Sequence, residues 1–488
     1  MSGPARDHID LGVLTSTVPP DLVDEVIETT GCREQRRRVL PARVVIYFVL
    51  ALTLFSAADG YRPPGYRAVL RILVLRWRGL CQGCVIASSS ALTQARQRLG
   101  VKPFHLLFDR VRDSTNTPTT GSTYAFGRRL VAWDATTLPA PDTPANATEF
   151  GYHGQARKPT KKQVDSYLRR LGSTPLIRLM TLIDCGTHSI IDAAFDGVVT
   201  SSEPALARRL LASLTPGMLL LADRNFTSHD LWSHATATGA DLIWRAKKNL
   251  QLVPTTHLPD GSFLATLPTR RETARLNGAR ARGRAPQPPR HGHQIRVVEF
   301  TITTTTGQDT RTDEYRLLTT LLDHHHAPAQ QLATLYQQRW ESETHYSFLK
   351  PRLIGTNTTL RSHTPTGITQ EIYALLITYQ ALCHLRTEAA TTANHDPDHI
   401  SFTLTLRTAR TALHQPPTHH TRNHTITDIL NEPPLTRRHR TYPRQRRPTA
   451  TPYPTKPRHQ PRPPTHTHHH ITITPSQTTT KITNQRLN

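Results

Sequence analysis

Apolar and polar positions along the chain fall into three textures. From about residue 10 to 115 the apolar positions recur at helical spacing. Asp21 to Thr30 is amphipathic, Pro41 to Ala58 is apolar almost throughout, and Ser88 to Leu99 is a third helix, opened by Ser88, Ser89 and Ser90 as N-cap residues, whose arginines, Arg96 and Arg98, suit a DNA-facing helix or a plain solvated face. From Leu130 the pattern turns to short apolar runs. Leu130 to Trp133 reads as a strand ending on Asp134, and Pro175 to Ile183 and Ser189 to Val199 as two strands joined at Cys185-Gly186. Glu203 to Leu214 reads as a helix, Met218 to Ala222 as a buried strand ending on Asp223, His229 to Thr238 as a helix and Leu242 to Trp244 as a strand. Residues 249–323 are rich in Arg, Thr and Pro, with β-type alternation at Ile295 to Ile302 and a mobile basic loop expected from Arg270 to Arg290. A long helix is expected from Ala329 to Lys350 and another from Thr369 to Ala389. The latter carries an apolar stripe (Ile372, Leu375, Leu376, Tyr379, Leu382) that suits a core or a dimer contact. After about residue 416, Thr, Pro, His and Arg dominate and no acid follows Glu432, so the tail is expected to be disordered.

Charge narrows the partner. The 488 residues carry 60 Lys+Arg against 36 Asp+Glu, a net charge of +24, which favours a polyanion and first of all nucleic acid. Five cysteines form no disulfide framework, and the lone pair Cys81-x-x-Cys84 lacks the second pair that a zinc site needs. No signal peptide is visible. The longest apolar stretch, Val44 to Ala58, is short for a membrane span, so no membrane partner and a cytoplasmic location are expected.

The candidate chemistry lies in three acids. Asp134 and Asp223 each follow an apolar strand, a rigid platform from which hard oxygen ligands can converge on Mg²⁺. The third comes from Tyr336-x₂-Arg339-x₃-Glu343-x₆-Lys350. At about 100° per residue these four side chains fall within about 60° on one helix face, whereas Glu341 falls on the opposite side. The geometry therefore selects Glu343 as third metal ligand. Arg245, Lys247 and Lys248, after the last core strand, are candidate DNA-backbone contacts.

These residues carry a family resemblance. The Tyr-Arg-Glu-Lys spacing resembles the signature of the insertion-sequence-four family of DDE transposases. Leu221-Ala222-Asp223-Arg224-Asn225-Phe226-Thr227-Ser228 and Val131-Ala132-Trp133-Asp134-Ala135-Thr136 resemble its second- and first-Asp motifs. Ile9 to Leu14 through Ala91 to Arg96 resembles its N-terminal domain. The Thr/His/Pro-rich tail and Pro351, directly after Lys350 and expected to end the helix early, depart from the pattern.

The resemblance implies an α/β protein with a ribonuclease H-like catalytic core, and the order of strands and helices above agrees. The expected divisions are a helical DNA-binding domain (1–115), a first core part (125–248), a β-rich insertion (249–323), a last core part (324–415) and a disordered basic tail (416–488). The implied activity is cut-and-paste transposition of a bacterial insertion sequence, by metal-dependent hydrolysis and strand transfer at terminal inverted repeats. Asp134, Asp223 and Glu343 would hold two Mg²⁺ ions, with Mn²⁺ as a substitute. Tyr336, Arg339 and Lys350 would touch phosphates near the scissile bond, and Trp133, Trp244 or Trp340 would stack a flipped base or fill the core. The implied partners are double-stranded DNA, both the element's ends and the target, and a second copy of the chain in a paired-end complex near the nucleoid. The rival readings are a catalytically decayed or domesticated transposase acting as repressor, and a different ribonuclease H-like nuclease such as a junction resolvase.

Overall fold

A computed structural model describes residues 11–36, 40–56, 64–76, 87–112, 123–152, 174–247, 250–285, 287–306, 309–336, 340–355, 359–414, 421–434 and 467–474. Cys81 and Cys84, Lys248 and Arg339 lie outside them, and Trp340, Glu341, Ser342 and Glu343 are described by backbone alone. The chain divides into two compact units, Met1–Met218 with Arg339–Thr436, and Leu219–Gln338 with Arg437–Asn488. This division differs from the sequence-based one: the N-terminal helices and the last helices belong to one unit.

The first unit opens with helices α1 (Val13–Thr17), α2 (Pro20–Thr29), α3 (Ala42–Leu54), α4 (Tyr66–Arg76), α5 (Ser89–Leu99) and α6 (Lys102–Val111). Every residue of α3 except Arg43 is buried, which is why its sequence is apolar on all sides. Strand β1 (Tyr124–Ala125) pairs with β2 (Arg128–Pro139), and α7 (Pro144–Phe150) follows. Then β3 (Leu176–Asp184) pairs antiparallel with both β2 and β4 (Ile190–Gly197), and α8 (Glu203–Arg209) follows β4. The second unit begins within β5 (Met218–Ala222), after which come α9 (His229–Thr236) and β6 (Asp241–Arg245). β6 runs parallel to β5, and both read as continuous apolar runs because both faces are covered. The insertion adds β7 (Thr256–His257), β8 (Phe263–Pro268), α10 (Arg270–Ala281), β9 (Gly292–Thr306) and β10 (Asp309–Thr319). They form an antiparallel sheet in the order β10-β9-β8-β7, joined to β6 through β10. After α11 (Ala329–Tyr336) the chain returns to the first unit with α12 (Trp340–Ser347), a π-helical segment Phe348–Ile354, α13 (Pro365–Thr392), α14 (Phe402–His414) and α15 (Thr421–Leu430). Among the described residues no helix is long and apolar enough to cross a membrane.

Several expectations are corrected. Asp134 stands inside β2, not at its end, because the strand continues through Thr136 and Thr137 in register with β3. Pro351 does not end its helix but sits within the π-helical segment, whose wider turn accommodates a residue without an N–H. The basic loop expected at 270–290 is helical over Arg270–Ala281. Thr269 accepts from the Glu272 N–H at 3.1 Å, and Thr269-x-x-Glu272 is a capping-box spacing. The apolar stripe of α13 is core: Ile372, Leu375, Leu376, Tyr379 and Leu382 are all buried where α13 packs on α3 and α6. Arg96 does not face outward from α5. It is buried, and its guanidinium donates to Gln370, Ser362 and the Gly367 carbonyl from α13 and its N-terminal approach, with Glu371 alongside at 3.5 Å.

The disordered tail is corrected in two places. α15 covers Thr421–Leu430, and Thr467–Ile473 forms strand β11, antiparallel to β9. β8 covers one stretch of β9 (Gly292 to Val297), and β11 pairs with Phe300–Thr306 beyond it. The segment Thr467-His-His-His-Ile-Thr-Ile473 has the β-branched content to serve once such an edge is offered.

Candidate active site

Asp134 is half-buried in β2, opposite Thr181 of β3, and its Oδ1 accepts the Ala135 N–H at 2.8 Å. Its backbone carbonyl accepts a hydrogen bond from the Tyr346 hydroxyl at 2.5 Å, and the Thr181 hydroxyl donates to that same phenol oxygen at 3.0 Å. Burial and the nearby Asp134 charge push the Tyr346 phenol far above its ordinary pKa, so it remains a neutral donor. Tyr346 belongs to α12, which packs on β2. Glu343 holds the helix position three residues earlier, on the neighbouring part of the same face, whereas Glu341 is five residues earlier and about 140° away. The helix that anchors on Asp134's strand is therefore the helix that carries Glu343.

Lys350 is placed differently from the sequence expectation. The winding changes within the π-helical segment, so a step of about 100° per residue does not carry through to it. Its Nζ donates to the Thr137 carbonyl at 2.7 Å and to the Thr136 hydroxyl at 3.2 Å, and burial lowers its pKa. The ammonium thus ties the π-helical segment to β2 just beyond Asp134.

In the second unit Asp223 follows β5 directly and begins a single 3₁₀ turn, Arg224–Phe226, in which the Phe226 N–H returns to the Asp223 carbonyl at 3.1 Å. Asp223 Oδ1 is buried and accepts no hydrogen bond among the described residues. Tyr336, the last residue of α11, is buried, and its hydroxyl donates to the Ala222 carbonyl at 3.2 Å. The expected phosphate contact is, in this structure, a brace on the strand end that carries Asp223.

That brace is tied to the insertion. Arg296 of β9 is fully buried. Its guanidinium donates to the Ser262 hydroxyl (2.8 Å) and the Ala327 carbonyl (2.6 Å), and it pairs with Asp260. Asp260 in turn accepts the N–H of Ala329, the first residue of α11, at 2.8 Å. Burial alone would raise the Asp260 carboxyl. Hydrogen bonds from Ser262 and Ala329 and the Arg296 charge outweigh it, and the pKa is lowered. The start of α11 is thereby fixed by the insertion, and its end holds the carbonyl before Asp223. Sequence reasoning missed Asp260 and Arg296. An Arg centred in an apolar strand run, Ile295-Arg296-Val297-Val298, was the available signal.

Beside Asp223 lies a cleft of about 390 Å³ lined by Arg224, Arg245, Lys247, Tyr315, Arg316 and Thr474 among others. The Arg245 guanidinium sits 4.3 Å from the centre of the Tyr315 ring, and Tyr315 stacks on Phe300. Two carboxylates also line the cleft, Glu299, which Arg316 takes, and the exposed Glu314, against the four cations Arg224, Arg245, Lys247 and Arg316, so the cleft is cationic on balance. Arg245 and Lys247, the candidate DNA-backbone contacts, both line this cleft. Trp133 and Trp244 are fully buried core residues.

Among the described residues no group of three His, Cys, Asp or Glu side chains is placed to hold a metal ion. The Glu343 side chain lies outside that set.

A basic α/β protein with one carboxylate inside a strand, another directly after a strand and a helix-borne acid has the make-up of a DNA-processing nuclease or recombinase. Comparison with known proteins gives the family. The profile of the insertion element 4 transposase N-terminal region matches residues 8–109, and that of the transposase DDE domain matches residues 125–381, over half of the chain. The chain belongs to the DDE-domain transposases of the insertion-element-four type and is a DNA transposase enzyme. It is 24% identical over 362 residues to the transposase InsG for insertion sequence element IS4 of Escherichia coli K12, covering 74% of this chain and 73% of that one. It is 27% identical over 227 residues to the putative transposase InsZ of the same organism, covering 46% of this chain and 68% of that one. Among solved structures, the piggyBac transposase synaptic complex with hairpin DNA aligns over 86% of this chain and 84% of that one, at 11% identity. Its TM-score of 0.40 is too low to bear on the fold.

Proposed function

We propose that this transposase moves its own insertion sequence by cutting and pasting, through hydrolysis and strand transfer at terminal inverted repeats, with Asp134, Asp223 and Glu343 as the acids of the reaction. The observation that carries the assignment is Asp223. A carboxylate oxygen buried with no hydrogen-bond donor is costly, and a hard divalent cation is the ligand that such an oxygen suits. The α12 helix adds support: anchored on Asp134's carbonyl through Tyr346, it gives Glu343 the helix position that faces the same strand.

Two Mg²⁺ ions held by Asp134, Asp223 and Glu343, with Mn²⁺ as substitute, would supply activation of the attacking oxygen and charge stabilisation of the leaving oxygen. The chain's own residues do the positioning. Tyr346 and Lys350 hold β2 at Asp134, and Tyr336 holds the end of β5 at Asp223. Arg245 and Lys247 in the cationic cleft, with Arg339, take the phosphates beside the scissile bond, where guanidinium geometry favours two-point contact. The element order supports a ribonuclease H-like core: strand with Asp134, antiparallel strands, helix, strand with Asp223, insertion, helix with Glu343. Cleaving two ends calls for two copies of the chain in a paired-end complex on bacterial DNA.

The test is cleavage of a duplex carrying the element's end, in Mg²⁺ or Mn²⁺, by the wild type and by Asp134→Ala, Asp223→Ala and Glu343→Ala. We expect each variant to bind the duplex and fail to cut it. A cutting Glu343→Ala with an inactive Glu341→Ala would overturn the choice of third acid. A wild type that binds but never cuts would revive the repressor reading, for which the presence of all three acids gives no support.

A further inference from the structure

We propose that α10 and the segment after it, within the insertion, form the surface that holds the target duplex during strand transfer; the inference rests on the transposition reading above. Residues 269–290 contain seven arginines and one acid, Glu272. That acid is turned inward. It is buried, Arg275 forks onto both its oxygens at 2.8 to 3.2 Å, and the Arg290 N–H donates to it at 3.1 Å. Arg275, with the Arg290 N–H, holds the Glu272 carboxyl below the usual carboxylate range, so it stays charged and fixes the helix to the segment that follows.

The remaining charge faces out. Arg270, Arg271, Arg280, Arg282 and Arg284 are all exposed, and none has a hydrogen-bond or ion-pair partner among the described residues. With Glu272 enclosed, the element presents guanidinium groups on a rigid, capped helix and no carboxylate. Such a surface complements a phosphate backbone.

The composition also indicates which nucleic acid. Residues 269–290 hold no Phe, Trp or Tyr on which an unpaired base could stack, which disfavours single strands. Asn277 and Gln287 are the segment's two side-chain amides, and Ala, Gly and Pro supply most of the other residues between the arginines, so the surface is weighted toward phosphates over base edges. An element end must be read by sequence, whereas a target duplex need only be held. Asp223 and the cationic cleft belong to the same unit, so a duplex on α10 is held by the body that also carries a catalytic acid.

The experiment uses the full chain with Arg270, Arg271, Arg280, Arg282 and Arg284 all changed to Gln, which keeps helix propensity. A second variant with the same five positions changed to Lys restores the charge. Three readouts are taken: cleavage of an end-bearing duplex, transfer of a pre-cleaved end into a plasmid, and the salt dependence of binding to a duplex without the end. We expect the Gln variant to cleave ends within about twofold of wild type, to lose transfer by roughly tenfold or more, and to show a salt slope flatter by roughly 2 to 4 units. The Lys variant should recover most of the slope and the transfer. Parallel loss of end cleavage and transfer, with circular dichroism unchanged, would assign the surface to end DNA and overturn the proposal. Unchanged transfer would show a merely solvated face, and a misfolded Gln variant leaves the Lys variant to decide: transfer below one-tenth with an unchanged slope counts against phosphate holding. Should the wild type itself fail to cleave ends, the transposition reading fails, and the salt slope still reports whether α10 touches duplex DNA.

Discussion

Asp134 stands inside a strand of twelve residues, β2, hydrogen-bonded along its length to β3, whereas Asp223 stands one residue beyond a five-residue strand, β5, on the first turn that follows it. Each is braced by a tyrosine hydroxyl that donates to a neighbouring backbone carbonyl: Tyr346 to Asp134 itself, Tyr336 to Ala222. The braces have different foundations. Tyr346 comes from α12, the helix that carries Glu343, and shares its oxygen with Thr181 of β3, so Asp134's position is set within the sheet. Tyr336 comes from α11, whose first N–H is fixed by Asp260 and, through it, by Arg296 of the insertion. The insertion is therefore part of what aims Asp223, while the contacts that brace Asp134 come from β3 and α12 of its own unit.

The largest effect erases the difference. Asp134→Ala and Asp223→Ala should each lower end cleavage by roughly three orders of magnitude or more, because each removes a carboxylate that the metal chemistry requires. DNA affinity should hold in both, since it comes from the basic residues. Gel-shift and cleavage assays on one duplex measure both. If one aspartate could be removed with cleavage intact, the pairing of the two platforms would be wrong.

Asp260→Asn should separate the platforms. Removing the charge beside buried Arg296 is expected to cost about 3 kcal/mol of stability, at the low end of the range for a broken buried pair because Asp260 keeps some exposure. The sign with pH follows from the lowered carboxyl. Its folded-state pKa lies below the unfolded value of about 3.9, so the stabilisation is complete above that value and is lost as pH falls through the folded pKa. Wild-type stability should therefore decline below about pH 4, and the Asn variant should be less stable at neutral pH but flatter in acid. Urea titrations from pH 3 to 7 test this. An identical acid limb in both proteins would show that Asp260 is not the group that titrates.

The brace variants come next. Tyr336→Phe removes the hydrogen bond to the Ala222 carbonyl, and Tyr346→Phe removes both the one to the Asp134 carbonyl and the one accepted from Thr181, each variant at a cost of about 1 to 2 kcal/mol. Tyr336→Phe should raise the Mg²⁺ concentration needed for half-maximal cleavage, because β5 ends at Ala222 and its pairing with β6 stops one residue short of Asp223. Tyr346→Phe should mainly lower the melting temperature, because β2 continues past Asp134 and stays paired with β3. Equal shifts in metal requirement would mean that the two strands respond alike.

Much of this was legible in the chain. The boundary at Asp223 follows from Met218 to Ala222, a run buried on both faces. The end of full burial at Trp133 hid the length of β2: Thr136 and Thr137 lie past the apolar run, yet they stay paired with β3 and receive Lys350. Arg96 looked like a DNA contact because its acceptors, Gln370, Ser362 and Glu371, lie more than 260 positions away in sequence. Thr269-x-x-Glu272 was a visible helix start that the density of arginines after it obscured. The tail strand could not be read, because Thr467–Ile473 is a poor strand until β9 offers an edge some 160 residues earlier in sequence.

That strand supports the smallest prediction. β11 pairs with Phe300–Thr306, and Thr474 lines the cationic cleft beside Asp223, so this strand of the tail belongs to the unit that carries Asp223. A chain ending at Pro434 lacks β11, which leaves that stretch of β9 with β10 as its one partner strand. Amide exchange at Phe300–Thr306 should then quicken, while the β2–β3 amides around Asp134 stay as protected as before. The truncated protein also loses basic residues beyond Arg437, so its binding to nonspecific duplex should fall off less steeply with salt, with end cleavage still present. Hydrogen-exchange mass spectrometry with and without the tail reads both strands in one experiment. Faster exchange along β2 would mean that the tail supports both platforms, and unchanged exchange along β9 would mean that β11 contributes nothing to the edge on which it lies.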